Sequence, residues 1–237
     1  MNLLAIDSAA KTLSAALSRG DDYFYAEADA QMKQSELVME FIDSLMKKAS
    51  LKPDDLNGVL CMSGPGSFTG LRIGYSVAKG LALSLSIPFV PVPTLDCIAY
   101  QLTDNSEVNA HSSLLISRSS LQLAVIEARK NACFYAFFRG GERLTPDVDA
   151  DFSQIAEEIS RFNEKIVLSG PGSFLLFDSL PDELKEIVLI KNENRGYARE
   201  IILIAKALNL FDKDNTAYLF SGPEYLRKTD AVLSLEC

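Results

Sequence analysis

The chain has 237 residues, 48% of them hydrophobic, enough apolar matter for one large domain or two small lobes, which excludes a disordered chain. Its 32 acidic against 23 basic side chains give a formal charge of −9, which opposes unaided binding to nucleic acid or to an anionic membrane, because phosphate binding needs a basic footprint. Four scattered cysteines (Cys61, Cys97, Cys133, Cys237) without a CxxC pair, a start without a basic leader and no apolar run of membrane-spanning length lead us to expect a cytoplasmic protein.

Residues 3–30 read as an apolar strand, a small turn, a second apolar strand, a turn at Gly20 and a third, more polar strand. An amphipathic helix over 32–49 follows, then a short strand over 57–63 that runs into SGPGSF (63–68) and a further helix. A polar connection over 105–120 carries the chain's one histidine, His111. Beyond it the plan recurs. Shifting the chain by 120 residues lays 3–30 over 123–150 without a gap, so that Ile6 meets Ile126, Asp7 meets Glu127, Ala16 meets Ala136, and Arg19-Gly20 meets Arg139-Gly140. A helix over 153–163 and a strand over 166–169 then lead into a second SGPGSF (169–174). The duplication predicts an α/β protein of two βββαβα lobes, 1–104 and 121–237, with Asp7 and Glu127 at equivalent strand ends. In both hexapeptides the proline needs no backbone donor, and the glycines permit positive φ and close approach.

Two helical patterns stand out as candidate contact surfaces. Gly66, Gly70, Gly74, Ala78 and Ala82 recur every four residues after the first hexapeptide. That flat face admits a close neighbour, either this protein's own sheet or a partner. The hexapeptide is no phosphate loop, because a Walker loop needs GxxxxGK[ST] and here Leu71-Arg72 follow Gly70. In the first helix Val38, Phe41, Ile42, Leu45 and Ala49 form the core stripe, and Met32, Met39 and Met46 add a line at seven-residue spacing. The methionines suit either an adaptable partner seam or a broad buried face.

Taken together, LLAIDSAAKTLSAAL, QSE (34–36), SGPGSFTGLRIGYSVAKGLA, PVPTL (91–95), IEARKNACFYAFF and PEYLR (223–227) resemble the TsaB family, also called YeaZ, over nearly the whole chain. The resemblance implies the actin-like ATPase (ASKHA) fold with two RNase H-like lobes. It also implies a role in making N6-threonylcarbamoyladenosine (t6A) in tRNA, as a non-catalytic partner that activates TsaD. In that scheme TsaD carries the metal and transfers the threonylcarbamoyl group, TsaE is an ATPase, and a synthase supplies threonylcarbamoyl-adenylate. Nucleotide and metal then belong to the partners, tRNA is met through the complex, and a homodimer is left open. Because family members meet TsaD through their first two helices, the resemblance points to Met32, Ser35, Glu36, Met39, Met46, Gly70, Gly74 and Ala78 as the partner interface. Gln34 stands where many members have His, and Glu127 where Asp is usual.

Enzymatic alternatives fit the residues less well. An ASKHA ATPase or kinase acting alone would carry glycines after the first strand of each lobe, but Ser8-Ala9-Ala10 and Ala128-Arg129-Lys130 stand there. A glycoprotease-like metallohydrolase needs converging ligands, and a serine hydrolase needs a GxSxG elbow and a histidine. The one histidine, His111, lies in a polar stretch apart from any ligand set, and no GxSxG elbow is present.

Overall fold

The computed structural model describes residues 1–30, 33–100, 120–191, 195–212 and 216–226; Met32, His111, Cys237 and nearly all of the 105–120 connection lie outside them. In the first half, β1 (Asn2–Asp7), β2 (Thr12–Arg19) and β3 (Asp22–Asp29) form an antiparallel meander, with Gly20 taking φ +61° at the second turn. There follow α1 (Gln34–Ala49), β4 (Gly58–Gly64), α2 (Phe68–Leu85), β5 (Phe89–Pro93) and α3 (Thr94–Tyr100). The sheet order is β3-β2-β1-β4-β5, with β4 parallel to both β1 and β5.

The second half comprises β6 (Leu121–Glu127), β7 (Ala132–Arg139), β8 (Glu142–Arg143), β9 (Val148–Asp151), α4 (Phe152–Ser160), β10 (Ile166–Ser169), α5 (Ser173–Ser179), α6 (Asp182–Lys185), β11 (Val188–Lys191) and α7 (Ala198–Ala207). Its order is β11-β10-β6-β7-β8, with β9 also on β7. Numbered within each half, both sheets therefore run 3-2-1-4-5, as two βββαβα lobes require. The third strand of the second half is broken. Pro146 offers no N–H to a ladder, and the Thr145 hydroxyl accepts the Phe137 N–H instead at 2.9 Å.

The gapless offset of 120 holds for β2 over β7, whose bounds coincide, but not for the first strands. Asp7 pairs with Ser14 across six intervening residues, whereas Glu127 pairs with Cys133 across five. A one-residue slip exchanges the two faces of a strand. Accordingly Leu4 and Ile6 lie in the outer core under α1 and α2, whereas the residues 120 further on, Ala124 and Ile126, lie in the core between the sheets. The outer core of the second half takes Leu121, Leu123 and Val125 instead. Asp7 and Glu127 both end their strands, yet the alternation places them on opposite faces.

The inner core ties the halves together. α3 packs on β6 and β7 of the second sheet, while α7, from the far end of the chain, packs on β1 and β2 of the first. The apolar residues of both helices join Leu3, Ala5, Leu60, Ile126, Phe134 and Phe138 in one cluster.

Candidate functional site

The outer pair α1 and α2 carries most of the residues expected at an interface. Val38, Ile42, Leu45 and Ala49 of α1 are buried. Ser35 and Glu36 are exposed in its first turn, and Met39 is 49% exposed. Met46 is 6% exposed and belongs to the outer core, so the two described methionines of the seven-residue line face different surroundings. Gly70, Gly74 and Ala78 are buried as well. A Cβ on Gly70 would stand 1.8 Å from the Ser8 carbonyl oxygen, and one on Gly74 2.5 Å from Ser8 Oγ. The flat line of α2 is thus occupied by this chain's own β1–β2 turn, and a partner meeting α2 meets another face. Ile73 and Val77 are half-buried at the rim of the outer core, as are Leu37 and Phe41 of α1, whereas Leu83, 59% exposed, lies on another side of α2 in line with Arg72, Ser76 and Lys79. Sequence patterning assigned Phe41 to the core stripe, where it is only half-buried, and passed over Leu37, Ile73 and Val77, which belong to neither the small-residue line nor that stripe.

Beneath the helices, the β1–β2 turn has its polar groups engaged. Ser8 Oγ donates to Gly70 O at 2.7 Å, Ala9 O accepts the Ser67 N–H at 2.7 Å, and Ala10 O accepts Gln34 Nε2 at 2.8 Å. Gln34 is therefore an internal tie between α1 and this turn, not a surface contact. Asp7, 1% exposed, accepts the N–H of Ala9 at 3.1 Å and that of Tyr197, immediately before α7, at 2.8 Å. Ser14 Oγ accepts the Ala198 N–H at 3.1 Å, Glu27 accepts the Gly196 N–H at 2.9 Å, and Tyr25 donates to Gly196 O at 2.9 Å. Four side chains of the first sheet thus satisfy the entry to a helix whose first N–H groups have no partner within it. Burial pushes the Asp7 carboxyl up to about 6 against the pull of its two backbone donors. Burial also raises Glu200, one turn further along, whose Oε1 is paired with Arg195 at 2.7 Å. Asp7 is a bridging cap between the halves, a role the sequence does not show because Tyr197 lies 190 residues away.

The two hexapeptides make related turns. Their first glycines, Gly64 and Gly170, adopt φ +118° and +102°, and a Cβ on either would meet a carbonyl oxygen, Glu224 O at 2.4 Å or Val125 O at 2.1 Å. Their second glycines abut the first hairpin of their own half, Gly66 at Ala9 and Gly172 at Glu127 and Cys133. The helices then begin differently: Ser67 caps α2 by accepting the Gly70 N–H at 3.3 Å, whereas Ser173 is already inside α5 with its hydroxyl buried and unpartnered.

The segment over 216–226 crosses back onto the first half. Glu224 N donates to Ser63 O at 2.7 Å, the Tyr225 ring stacks on Phe68 at 4.3 Å, and Lys79 of α2 donates to the carbonyls of Leu219 and Ser221. Among the described residues, no group of three or more His, Cys, Asp or Glu is placed to hold a metal ion, and no helix is long and apolar enough to cross a membrane. Cys61, Cys97 and Cys133 are buried free thiols.

Comparison with known proteins places these features in context. The family model described as TsaD, tRNA N6-adenosine threonylcarbamoyltransferase, matches residues 28–170. The chain is 31% identical over 237 residues to the tRNA threonylcarbamoyladenosine biosynthesis protein TsaB of Bacillus subtilis, covering 98% of this chain and 96% of that protein. It is 27% identical to the TsaB of Escherichia coli, with the same two shares covered. The solved structure of YeaZ from Pseudomonas aeruginosa superposes with a TM-score of 0.75 at 18% identity, covering 95% of this chain and 99% of that one, which establishes a shared fold.

Proposed function

Because this chain belongs to the TsaB family, we propose that it serves t6A biosynthesis as a non-catalytic subunit, binding and activating a TsaD-type threonylcarbamoyltransferase. It works in the cytoplasm, alongside a TsaE-type ATPase, and meets tRNA in the assembled complex. The observation that carries the non-catalytic reading is the closed β1–β2 turn. A phosphate held at this turn would need free backbone N–H groups and room for a close approach. Here the Ala9 N–H serves Asp7, and Gly66 and Gly70 bring α2's leading turn directly against Ala9 and Ser8. The first-strand carboxylate is committed to capping α7.

Activation without chemistry requires that the subunit bind one conformation of its partner better than the other, and the shift in population equals that difference in affinity. The surface offered for this is the exposed side of the helix pair: Ser35, Glu36 and Met39 on α1, with the half-buried Ile73 and Val77 on α2. An apolar helix flank of this kind packs with two helices of a related fold into a four-helix contact. The test is calorimetric titration of the TsaD-type enzyme with wild-type chain and with Met39→Glu. Binding should be measurable for the first and at least tenfold weaker for the second, because the variant buries an unpaired charge. Unchanged binding by a folded Met39→Glu protein would remove this face from the interface.

A further inference from the structure

A second surface, between α2 and the 216–226 segment, carries an unusual charge. Arg72 and Lys79 lie seven residues apart on α2, two turns and about 10 Å along one side, and line a groove of about 220 Å³ with Ser76, Ser221 and Gly222. Among the described residues neither forms an ion pair with a carboxylate, which is also true of Lys48, Lys52 and Lys206; what distinguishes Arg72 and Lys79 is that they lie side by side on one groove. In a chain with nine excess acids, two neighbouring cations outside any described ion pair raise the local positive potential, offset in part by the Glu224 carboxylate that acts on the groove-lining Tyr75. The protein already uses part of their donor capacity. Arg72 Nε donates to the Tyr225 hydroxyl at 3.1 Å, and Lys79 holds two carbonyls. Both terminal amino groups of Arg72 and one N–H of Lys79 remain for an anion.

Aromatic rings accompany these charges. The Arg72 guanidinium lies 5.6 and 5.7 Å from the ring centres of Phe68 and Tyr225. Tyr225 is 39% exposed, and Phe220, next to the groove-lining Ser221, is 91% exposed. Exposed rings beside unpaired cations are what a single strand of nucleic acid uses, its bases stacking while its phosphates are neutralised. A free phosphate or an acidic peptide would engage the cations and leave the rings idle. We infer that this groove binds a single-stranded RNA segment, with phosphates at Arg72 and Lys79 and bases against Phe220 and Tyr225. The inference deepens the proposed role in tRNA modification and rests on it: the subunit touches the RNA substrate directly while its helix pair holds the catalytic partner. The overall charge keeps this contact weak in the isolated chain.

The experiment is fluorescence anisotropy of a labelled ten-nucleotide oligouridylate titrated with the full chain at 50 and 200 mM NaCl. Two neutralised phosphates on a single strand predict that the association constant falls about sevenfold over that range. Arg72→Gln with Lys79→Gln should remove the salt dependence along with most of the binding. Since Lys79 also holds the 216–226 segment, Phe220→Ala provides a variant that leaves the packing alone and should weaken binding about fivefold through lost stacking. The inference is overturned by an absence of binding, by equal affinity for a duplex of the same length, by undiminished binding of the variants, or by full competition from equimolar inorganic phosphate. A threonylcarbamoyl-transfer assay run in parallel separates the two readings. Stimulation of transfer without RNA binding overturns this inference alone, and RNA binding without stimulation supports the groove while overturning the proposed activation.

Discussion

Replacing Asp7 with Asn tests whether this carboxylate is a structural cap or a remnant of a catalytic site. The side chain is fully buried and its pKa is raised from 3.8 to about 6. The folded state therefore binds the Asp7 proton more tightly than the unfolded state does. The stability this group contributes is fully present below pH 3.8 and is lost as pH rises through 6, and the full loss is roughly 3 kcal/mol. Asparagine is nearly isosteric and does not titrate; it keeps only one of the two acceptor oxygens, a constant offset, so the pH dependence of the difference between the two proteins isolates the carboxyl. Between pH 5.0 and 7.5 the wild type should lose about 1.4 kcal/mol relative to Asp7→Asn, the remainder having been lost at more acidic pH. Urea denaturation of both proteins at four pH values in this range, with m-values checked for constancy, measures it directly. Asp7→Ala deletes the acceptor of the Tyr197 and Ala9 N–H groups altogether. At pH 7.5 it should be less stable than Asp7→Asn by about 1 kcal/mol or more, because the asparagine carbonyl oxygen still accepts one of the two N–H groups and alanine accepts neither. A pH-independent difference between wild type and Asp7→Asn, or one of opposite slope, would refute the buried-cap account.

Other expectations follow from packing. Gly70→Ala places a methyl group 1.8 Å from the Ser8 carbonyl oxygen and should lower the melting temperature sharply or prevent folding. Gly80→Ala, on the same helix with nothing within 4 Å of its new methyl, should instead stabilise by roughly 0.5–1 kcal/mol. Thermal melts of the pair decide whether the flat side of α2 serves this chain's own fold. Burial pushes the Cys133 thiol up to about 12 and raises Cys61 and Cys97 too. Iodoacetamide at pH 8 followed by peptide mapping should therefore leave all three unmodified in native protein and alkylated in urea.

Local pattern carried much of this fold. Of the stripe Val38, Phe41, Ile42, Leu45 and Ala49, read from spacing because a core helix repeats every 3.6 residues, all but the half-buried Phe41 are buried. The duplication showed that the two halves are like βββαβα units, while the strand order within each sheet came from the structure. The gapless alignment nevertheless missed the slip in the first strand, since apolar residues flank the slip on both faces of β1 and β6 and the alternation gives no signal. Small residues along α2 announced a close approach without naming what approaches, and Ser8 lies 62 residues from Gly70. Gly74→Leu, which from sequence alone looks like an interface variant, is therefore a variant of the fold. The methionine line divided because Met46 lies in the outer core with Leu51 and Leu56, after the chain turns back beyond α1, while Met39 has no such cover. The Arg72–Lys79 groove was illegible for a related reason: three of its seven lining residues are 221–223, more than 140 positions further along the chain.

The most direct measurement of the central claim is transfer of the threonylcarbamoyl group from its adenylate to tRNA by the TsaD-type enzyme, assayed with the enzyme alone, this chain alone and both together. The account predicts no transfer by the chain alone, a large stimulation when both are present, the same stimulation with Asp7→Asn, and its loss with Met39→Glu. Transfer by the chain alone, or a folded and partner-bound Asp7→Asn protein that no longer stimulates, would contradict it by placing chemistry in the site that the fold has closed.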